Sequence, residues 1–597
     1  MYDYAWVHVV YTIPLALILS VVLAPLLTRL DVYKICFLTT VAFSYTLPWD
    51  SYLVRNRIWT YPSEAVFGPS LFSVPAEELF FFVVQTYITT CLHILLNKPV
   101  LTAVHLRNEA VRGKFEPQKR LGQLFFIACF VVPLLLPTNN HEGTYIKLIV
   151  VWVAPIYFML WTFAYQLVLS LPLSKTLLPI TIPTLFLWIV DTLALQRGTW
   201  SIESGTKLGI HIWPHLEVEE ALFFLVTNCM IVLGSCAFDN ALAILDAFPS
   251  IFPTVPGAPP PFLMLKSLFT STSRYDQERL DGLQNALTVL AKKSRSFYLA
   301  SGVFNGRLRI DLILLYGFCR VADDLIDDAA SVTEARTWIA HFTAFLNTMY
   351  SEKKDNASLE KALAPFPPKA QSILRYLPVD KLPSKPLYAL LDGFRMDLQF
   401  SEEKSSGQPP VQTEQDLEHY ATCVAATIGE LCLSLVYAHD PDKHISLTTD
   451  KREECTEAGV RMGRVLQYIN IVRDVTTDAE TGRCYIPSEW LVKKKQNAPK
   501  VEQEEEILAC RKRILATAFQ GYTENRDAIE ELPRYARGGI RVAVESYMEI
   551  GRVLRQRIHK GQPLDFAGGG KQGRASVPKL RRVWVGWRTM AGRRGSC

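Results

Sequence analysis

The chain has 597 residues, too many for one hydrophobic core, so two or more domains are expected. Lys and Arg number 63 against 58 Asp and Glu, a formal net charge of only +5, and no concentrated basic face points to nucleic acid. Twelve cysteines without a close CxxC pair argue against a zinc-thiolate site and demand no disulfide framework.

Seven apolar stretches open the chain: 6–27, 34–49, 77–97, 121–138, 147–170, 177–195 and 219–238. A spanning helix needs about 20 residues, which most of these stretches approach, the second and fourth being marginal. Apolarity on every face predicts membrane spans rather than surface helices. The first run lacks a basic leader and a small-residue cleavage site, so it reads as a retained span. Lys98, Arg107, Arg112, Lys114, Lys119 and Arg120 crowd the loop after the third stretch. Cytoplasmic placement of that loop puts the N-terminus outside, on the luminal side, and the C-terminal half in the cytoplasm.

A repeat lies within this region. Asp50 and Trp59 recur as Asp191 and Trp200, each 141 residues on, and Glu77-Glu78 recurs as Glu219-Glu220 at 142. Phe81-Phe82 matches Phe223-Phe224 at the same 142. The offset covers four crossings, so both copies point the same way and both acidic pairs fall near the outer ends of their helices, where they could line one shared pocket. First-turn acids at the headgroup level could instead simply complement helix dipoles. A carboxylate at mid-membrane costs roughly 2.5–3.5 kcal/mol, which makes two matched pairs a poor accident. A carboxyl that keeps its proton in apolar surroundings is a general acid, and the faces of Trp59 and Trp200 would stabilise a carbocation. The set suits protonation and ring closure of a polyene, although a transporter also uses repeated helices and intramembrane acids.

Pro75-Ala76-Glu77-Glu78 and Glu217-Val218-Glu219-Glu220 resemble the PxEE-like motifs of the fungal and archaeal type of lycopene cyclase. The second copy departs from the pattern, with Glu217 where the first has Pro75. The resemblance implies redox-neutral closure of the ψ-ends of lycopene and related carotenoids into β-ionone rings, with Glu77, Glu78, Glu219 and Glu220 as catalytic candidates. No GxGxxG follows a strand, and no FAD is expected.

Phe248–Phe262, "FPSIFPTVPGAPPPF", breaks the helical pattern and reads as part of a linker over 241–270. Helical periodicity then predicts helices at 276–302, 307–329, 332–350, 385–400, 414–437, 451–477, 501–520, 522–532 and 537–557, with a loop at 401–412. The fold class is therefore all-α: a seven-span domain over 1–240, with repeats at about 1–97 and 142–238, fused to an all-α domain over 271–560.

Within that second domain, Asp323 and Asp327 share a helix face at i,i+4, as do Asp324 and Asp328, and Asp474 and Asp478 repeat the spacing. Such pairs repel, so burying them demands a cation. Hard oxygen donors on two facing helices suit Mg2+, with Mn2+ as the alternative, and a diphosphate as further ligand. Arg320, Arg473 and Arg483 flank the clusters and could bind outer phosphate oxygens, and Arg295 in "KSRSFYLA" (Lys293–Ala300) is another candidate for the same anion.

"SRSF" (Ser294–Phe297), "YGFCRVADDLIDD" (Tyr316–Asp328), "GFRMDL" (Gly393–Leu398), "YATCVAATIGEL" (Tyr420–Leu431) and "NIVRDVTTDAETGRCYIP" (Asn470–Pro487) resemble a phytoene synthase of the squalene/phytoene synthase family over about 275–555. The resemblance implies an isoprenoid-synthase-type fold. It also implies head-to-head joining of two geranylgeranyl diphosphates through prephytoene diphosphate, without NADPH. By position it makes Asp323, Asp327, Asp474 and Asp478 the metal ligands, and Tyr298, Tyr316, Phe394 and Tyr420 walls of the cation path. Asn470 joins Arg295, Arg320, Arg473 and Arg483 as substrate-binding candidates.

The tail, 561–597, carries eight Lys or Arg and no acid from Lys571 onward. "RRVWVGWR" (Arg581–Arg588) suits an anionic membrane surface, and a disordered basic tail explains it equally. Taken whole, the chain resembles the fungal bifunctional lycopene cyclase/phytoene synthases. A multi-pass protein of a fungal endomembrane is implied, with the lipid bilayer and a separate phytoene desaturase as partners. The alternative is a transporter or receptor-like protein with a non-catalytic helical scaffold.

Overall fold

A computed structural model describes residues 3–108, 113–135, 142–203, 205–352, 355–406, 409–440, 447–491, 500–564 and 577–592. Arg112, the end of the fourth expected span at 136–138, and tail residues 565–576 and 593–597 lie outside them. The chain divides into two compact units, Met1–Leu280 and Asp281–Cys597.

In the first unit the described part of each expected apolar stretch falls largely in a helix: α1 (Asp3–Leu26), α2 (Arg29–Arg55), α3 (Ala76–Asn97), α4 (Glu116–Leu135), α5 (Thr144–Ser170), α6 (Leu173–Arg197) and α7 (Val218–Ala247). A π-turn at His8–Thr12 widens α1 and a proline-bearing 3-10 turn at Ala24–Leu26 ends it. Thr28 and Asp31 cap α2 reciprocally: each side chain accepts the other's backbone N–H, at 3.2 and 2.8 Å. Among the described residues, six of these helices are long and apolar enough to cross a membrane. Charged α2 is not one of them, whereas Glu414–Ala438 of the second unit qualifies by length and composition although its Leu417, Tyr420 and Leu433 belong to that unit's own core.

Short strands, invisible to the helical pattern, fix the loops ahead of α3 and α7. β1 (Trp59–Thr60) pairs antiparallel with β4 (Ser201–Ile202), Thr60 opposite Ser201. β2 (Ser70–Leu71) folds onto β3 (Val74–Pro75), and β5 (His211–Trp213) onto β6 (Leu216–Glu217). Each hairpin turns through left-handed backbone, at Phe72 and Ser73 in one and His215 in the other, and runs straight into its helix.

The stretch expected as a linker is anchored. α7 continues to Ala247, the buried Phe248 stacks on Tyr275 at 4.6 Å, and α8 (Pro261–Leu268) bonds back through Ser267 Oγ to the Ala241 carbonyl at 3.2 Å. Proline content signalled broken helix, and the aromatic anchors gave no periodic signal.

The chain enters the second unit inside α9 (Gln277–Lys293). Ser294 interrupts the expected 276–302 helix, and its side chain caps α10 (Arg295–Ser301) by accepting from Phe297 N at 3.4 Å. Then follow α11 (Gly306–Asp327), α12 (Val332–Met349), α13 (Asn356–Leu363), α14 (Pro368–Leu374) and α15 (Ser384–Ser406), which takes up the first half of the expected 401–412 loop. α16 (Glu414–Ala438) holds a π-turn at Thr422–Ala426, and α17 (Thr449–Glu480) is the central helix. A Cβ on Gly463 of α17 would stand 2.6 Å from the Ala425 carbonyl oxygen, so α16 and α17 approach backbone to backbone. α18 (Lys500–Asn525), α19 (Arg534–His559) and α20 (Lys579–Met590) complete the unit. α20 is a correction to the disordered-tail alternative: Val585 and Thr589 are buried against the unit.

Candidate active sites

Glu77 and Glu78 stand in the first turn of α3, and Glu219 and Glu220 in the first turn of α7; all are buried. Their surroundings separate them. Glu77 Oε1 accepts from the Phe67 backbone N–H at 2.6 Å, and Glu219 Oε1 accepts from Leu208 N–H at 2.7 Å. These two lock the hairpin loops. Glu78 Oε2 accepts from the Tyr61 hydroxyl at 2.9 Å and from the Tyr4 hydroxyl. Glu220 stands beside the Tyr145 hydroxyl, in a region filled by the Trp49–Trp152 stack at 4.2 Å and Phe223.

A cavity in this unit is walled by Glu78, Asp191, Trp59, Trp200, Phe81 and Phe224. Its carboxyls thus come from Glu78 and Asp191, and neither Glu77, Glu219 nor Glu220 is among its walls. The pocket expected to be shared by both acidic pairs takes one glutamate. Asp191 Oδ1 accepts from Trp200 Nε1 at 3.1 Å, fixing that indole. His8 Nε2 contacts the Glu77 carbonyl oxygen at 3.0 Å. A second apolar pocket shares Thr12, Phe81 and Leu187 with the first and continues between α1, α3 and α6 past Val84 and Ile88. Together they line a largely apolar slot with the Glu78 and Asp191 carboxyls at one end.

In the second unit, α11 and α17 face each other across a polar cavity of about 690 Å³, open mouth included. Arg320, Asp323 and Asp327 enter from α11, and Asn470, Arg473, Asp474 and Asp478 from α17, with Tyr420 and Tyr485 also on the wall. Helical spacing puts each set on one stripe. The carboxylates are met by arginines: Arg320 Nη1 to Asp323 at 2.7 Å, Arg483 Nη2 to Asp327 at 2.8 Å, and Arg473 Nε to Asp474 at 2.8 Å. Arg320 Nη2 and Lys293 Nζ both reach Asp324, at 2.6 and 2.9 Å. Burial, followed by repulsion from Asp327, pushes Asp323 up to about 6 despite Arg320. Burial works against the Arg483 guanidinium, yet Asp327 holds its pKa above the usual value.

Among the described residues no three carboxylates converge into a ready-made metal cluster. The donor set nevertheless suits a hard divalent ion: oxygen ligands from two helices, mutually repelling, round a polar space roomy enough for a diphosphate. Asp323, Asp327, Asp474 and Asp478 would hold it.

Arg295, Tyr298, Tyr316 and Phe394 do not line this cavity. Arg295 is exposed and close to Arg582 of α20, Tyr316 packs edge-on to Phe297 at 6.0 Å, and Phe394 is buried in the core. Sequence reasoning passed over Asp397 and Tyr485, although both lie inside quoted motifs. Buried Asp397 accepts from Tyr485 at 2.7 Å and Tyr420 at 3.3 Å, and burial pushes it up to about 7 against the lowering effect of Arg483 and the two phenols.

A squalene/phytoene synthase family profile matches residues 290–581. Over 99% of this chain and 99% of its own length, the bifunctional lycopene cyclase/phytoene synthase of Phaeosphaeria nodorum is 49% identical. Its namesake in Leptosphaeria maculans is 48% identical over 99% and 100%, and that of Neurospora crassa 45% over 98% of each. With identity this high across both units, the chain belongs to the family of fungal bifunctional lycopene cyclase/phytoene synthases.

Proposed function

We propose that the second unit condenses two geranylgeranyl diphosphates to phytoene and that the first cyclises the ψ-ends of lycopene. The observation that carries the reading is the pair of unlike sites on one chain: a polar, acidic cavity between α11 and α17, and an apolar slot ending at Glu78. The transporter alternative is set aside, because the whole chain aligns with enzymes.

In the synthase cavity, Arg320, Arg473 and Arg483 leave their carboxylate partners to grip diphosphate oxygens, which bidentate guanidinium donors do well. Asp323, Asp327, Asp474 and Asp478 would hold Mg2+, or Mn2+ in its place, which would offset the negative charge of a departing diphosphate. Asp397 holds the hydroxyls of Tyr420 and Tyr485, whose rings stack on each other at 4.6 Å on the cavity wall and offer aromatic surface to a cationic intermediate. Loss of a proton instead of reduction completes phytoene, with prephytoene diphosphate as the intermediate.

In the cyclase slot, isomerisation needs one proton delivered and one removed. Glu78 delivers it, held in register by Tyr4 and Tyr61, while Trp59 and Trp200 stabilise the carbocation. Asp191 faces the same space and is placed to receive the proton lost on ring formation. Helices α1 to α7 are read as seven spans. Their internal repeat is supported by the β1–β4 pairing, by the Gln85–Thr227 bond at 2.9 Å, and by the matched locks of Glu77 and Glu219. The N-terminus is then luminal, the synthase is cytoplasmic in a fungal endomembrane, and a separate phytoene desaturase converts one unit's product into the other's substrate.

The test is expression in a host that makes geranylgeranyl diphosphate. Phytoene should accumulate, and adding a desaturase should turn it into cyclic carotenoids. A host that gains no phytoene rejects the synthase reading, and one that stops at lycopene rejects the cyclase reading.

A further inference from the structure

Four large apolar side chains stand more than a third exposed among the described residues of the second unit: Tyr535 at 36%, Leu580 at 85%, Val583 at 49% and Trp584 at 55%. Single exposed apolar residues are ordinary, but three of these four share one face of α20 at i, i+3 and i+4. The fourth, Tyr535, begins α19, on which α20 lies. The helix is seated rather than loose. Arg541 Nη1 donates to the Thr589 carbonyl at 3.0 Å, Arg581 Nε pairs with Glu549 at 2.7 Å, and Gly538 makes room for the Met590 sulfur. Its outward face is thus set by a built inner one.

Charge completes the pattern. Lys579 is exposed at the start of the helix, and half-buried Arg582 and Arg588 flank the apolar face. From Lys571 to Cys597 the sequence holds eight Lys or Arg and no acid. Trp584 stacks on Trp587 at 5.4 Å, giving a flat amphipathic pair of the kind favoured at headgroup depth. An acidic protein partner would satisfy the charge but leave Leu580, the most exposed of the four, without use for its side chain.

We propose that α20 is an interfacial helix that docks the second unit on an anionic lipid surface, with Leu580, Val583 and Trp584 inserted and the basic side chains at the headgroups. The surface stands independently of the synthase reaction. It lies one helix away from α11, since Gly586 of α20 packs near Leu299 of α10, whose Phe297 meets Tyr316 of α11. A product without polar groups would leave such a site more readily into lipid than into water.

The test uses the full-length chain with photoreactive p-benzoylphenylalanine at position 584, in vesicles of phosphatidylcholine with or without phosphatidylserine. A control carries the same group in place of exposed Lys361 on α13. Irradiation should join position 584, not 361, to phospholipid. Each basic side chain near an anionic surface is worth about fivefold in partition, so the adduct should be at least that much stronger with phosphatidylserine. Equal labelling at 584 and 361, indifference to phosphatidylserine, or capture of protein instead of lipid would each overturn the proposal.

Discussion

Replacing Glu78 with Gln removes one acidic proton from the cyclase slot at almost constant volume. In the wild type, Glu78 Oε2 accepts from Tyr61 at 2.9 Å and from Tyr4. A glutamine carbonyl can take the same two donors, and a proton-bearing Glu78 is as neutral as glutamine, so the fold should lose no more than about 1 kcal/mol. The chemistry loses its donor, and a positioned general acid contributes about 10²–10⁴-fold. Cyclisation of lycopene should fall by that factor while phytoene formation, in the other unit, is unchanged. Glu77→Gln and Glu219→Gln supply the contrast: each keeps an acceptor for its loop N–H, at 2.6 and 2.7 Å in the wild type, and should keep cyclising. The assay is chromatography of carotenoids from membranes fed lycopene, normalised to immunoblotted protein. A Glu78→Gln chain that cyclises at the wild-type rate, or equal losses in all three variants, would refute the assignment.

Three further outcomes are expected. Asp474→Asn should weaken Mn2+ binding, read by electron paramagnetic resonance of the ion, by tenfold or more, since it removes one of four facing carboxylates. Asp397 holds its proton in the folded state up to about pH 7, whereas an unfolded aspartate releases it near 4. Its stabilising effect is therefore full below about pH 4 and is lost as pH rises through 7; Asp397→Asn should flatten that part of the Tm–pH curve in detergent. Gly463→Ala drives a methyl to 2.6 Å from the Ala425 carbonyl oxygen and should cost about 1–3 kcal/mol, seen as a lower Tm and weaker phytoene synthesis together.

How much of this was legible in the sequence depended on whether the signal was periodic. Apolar runs located α1 to α7, and i,i+4 aspartates located the facing stripes of α11 and α17, because helix geometry converts spacing into a shared face. The 141-residue recurrence of Asp50 and Trp59 singled out Asp191 and Trp200, which do reach the Glu78 cavity. What spacing does not carry is long-range pairing. Tyr4 lies 74 residues from Glu78, and Asp397 lies 88 from Tyr485. Only the fold brings such partners together. The four paired glutamates looked alike for the same reason: a loop N–H from Phe67 or Leu208 leaves no mark on hydrophobicity, yet it sets Glu77 and Glu219 apart from Glu78, which lines the cavity. Likewise Arg295 read as a phosphate ligand from its motif, while the break at Ser294 turned it outward beside Arg582.

Two chemistries on one chain can be separated most directly by complementation. In a host supplying geranylgeranyl diphosphate and phytoene desaturase, Glu78→Gln alone should stop at lycopene and Asp474→Asn alone should give no coloured carotenoid. Coexpressing the two variants should restore cyclic carotenoids. If Glu78→Gln abolishes phytoene formation as well, or the pair fails to complement, the units do not work as independent catalytic centres.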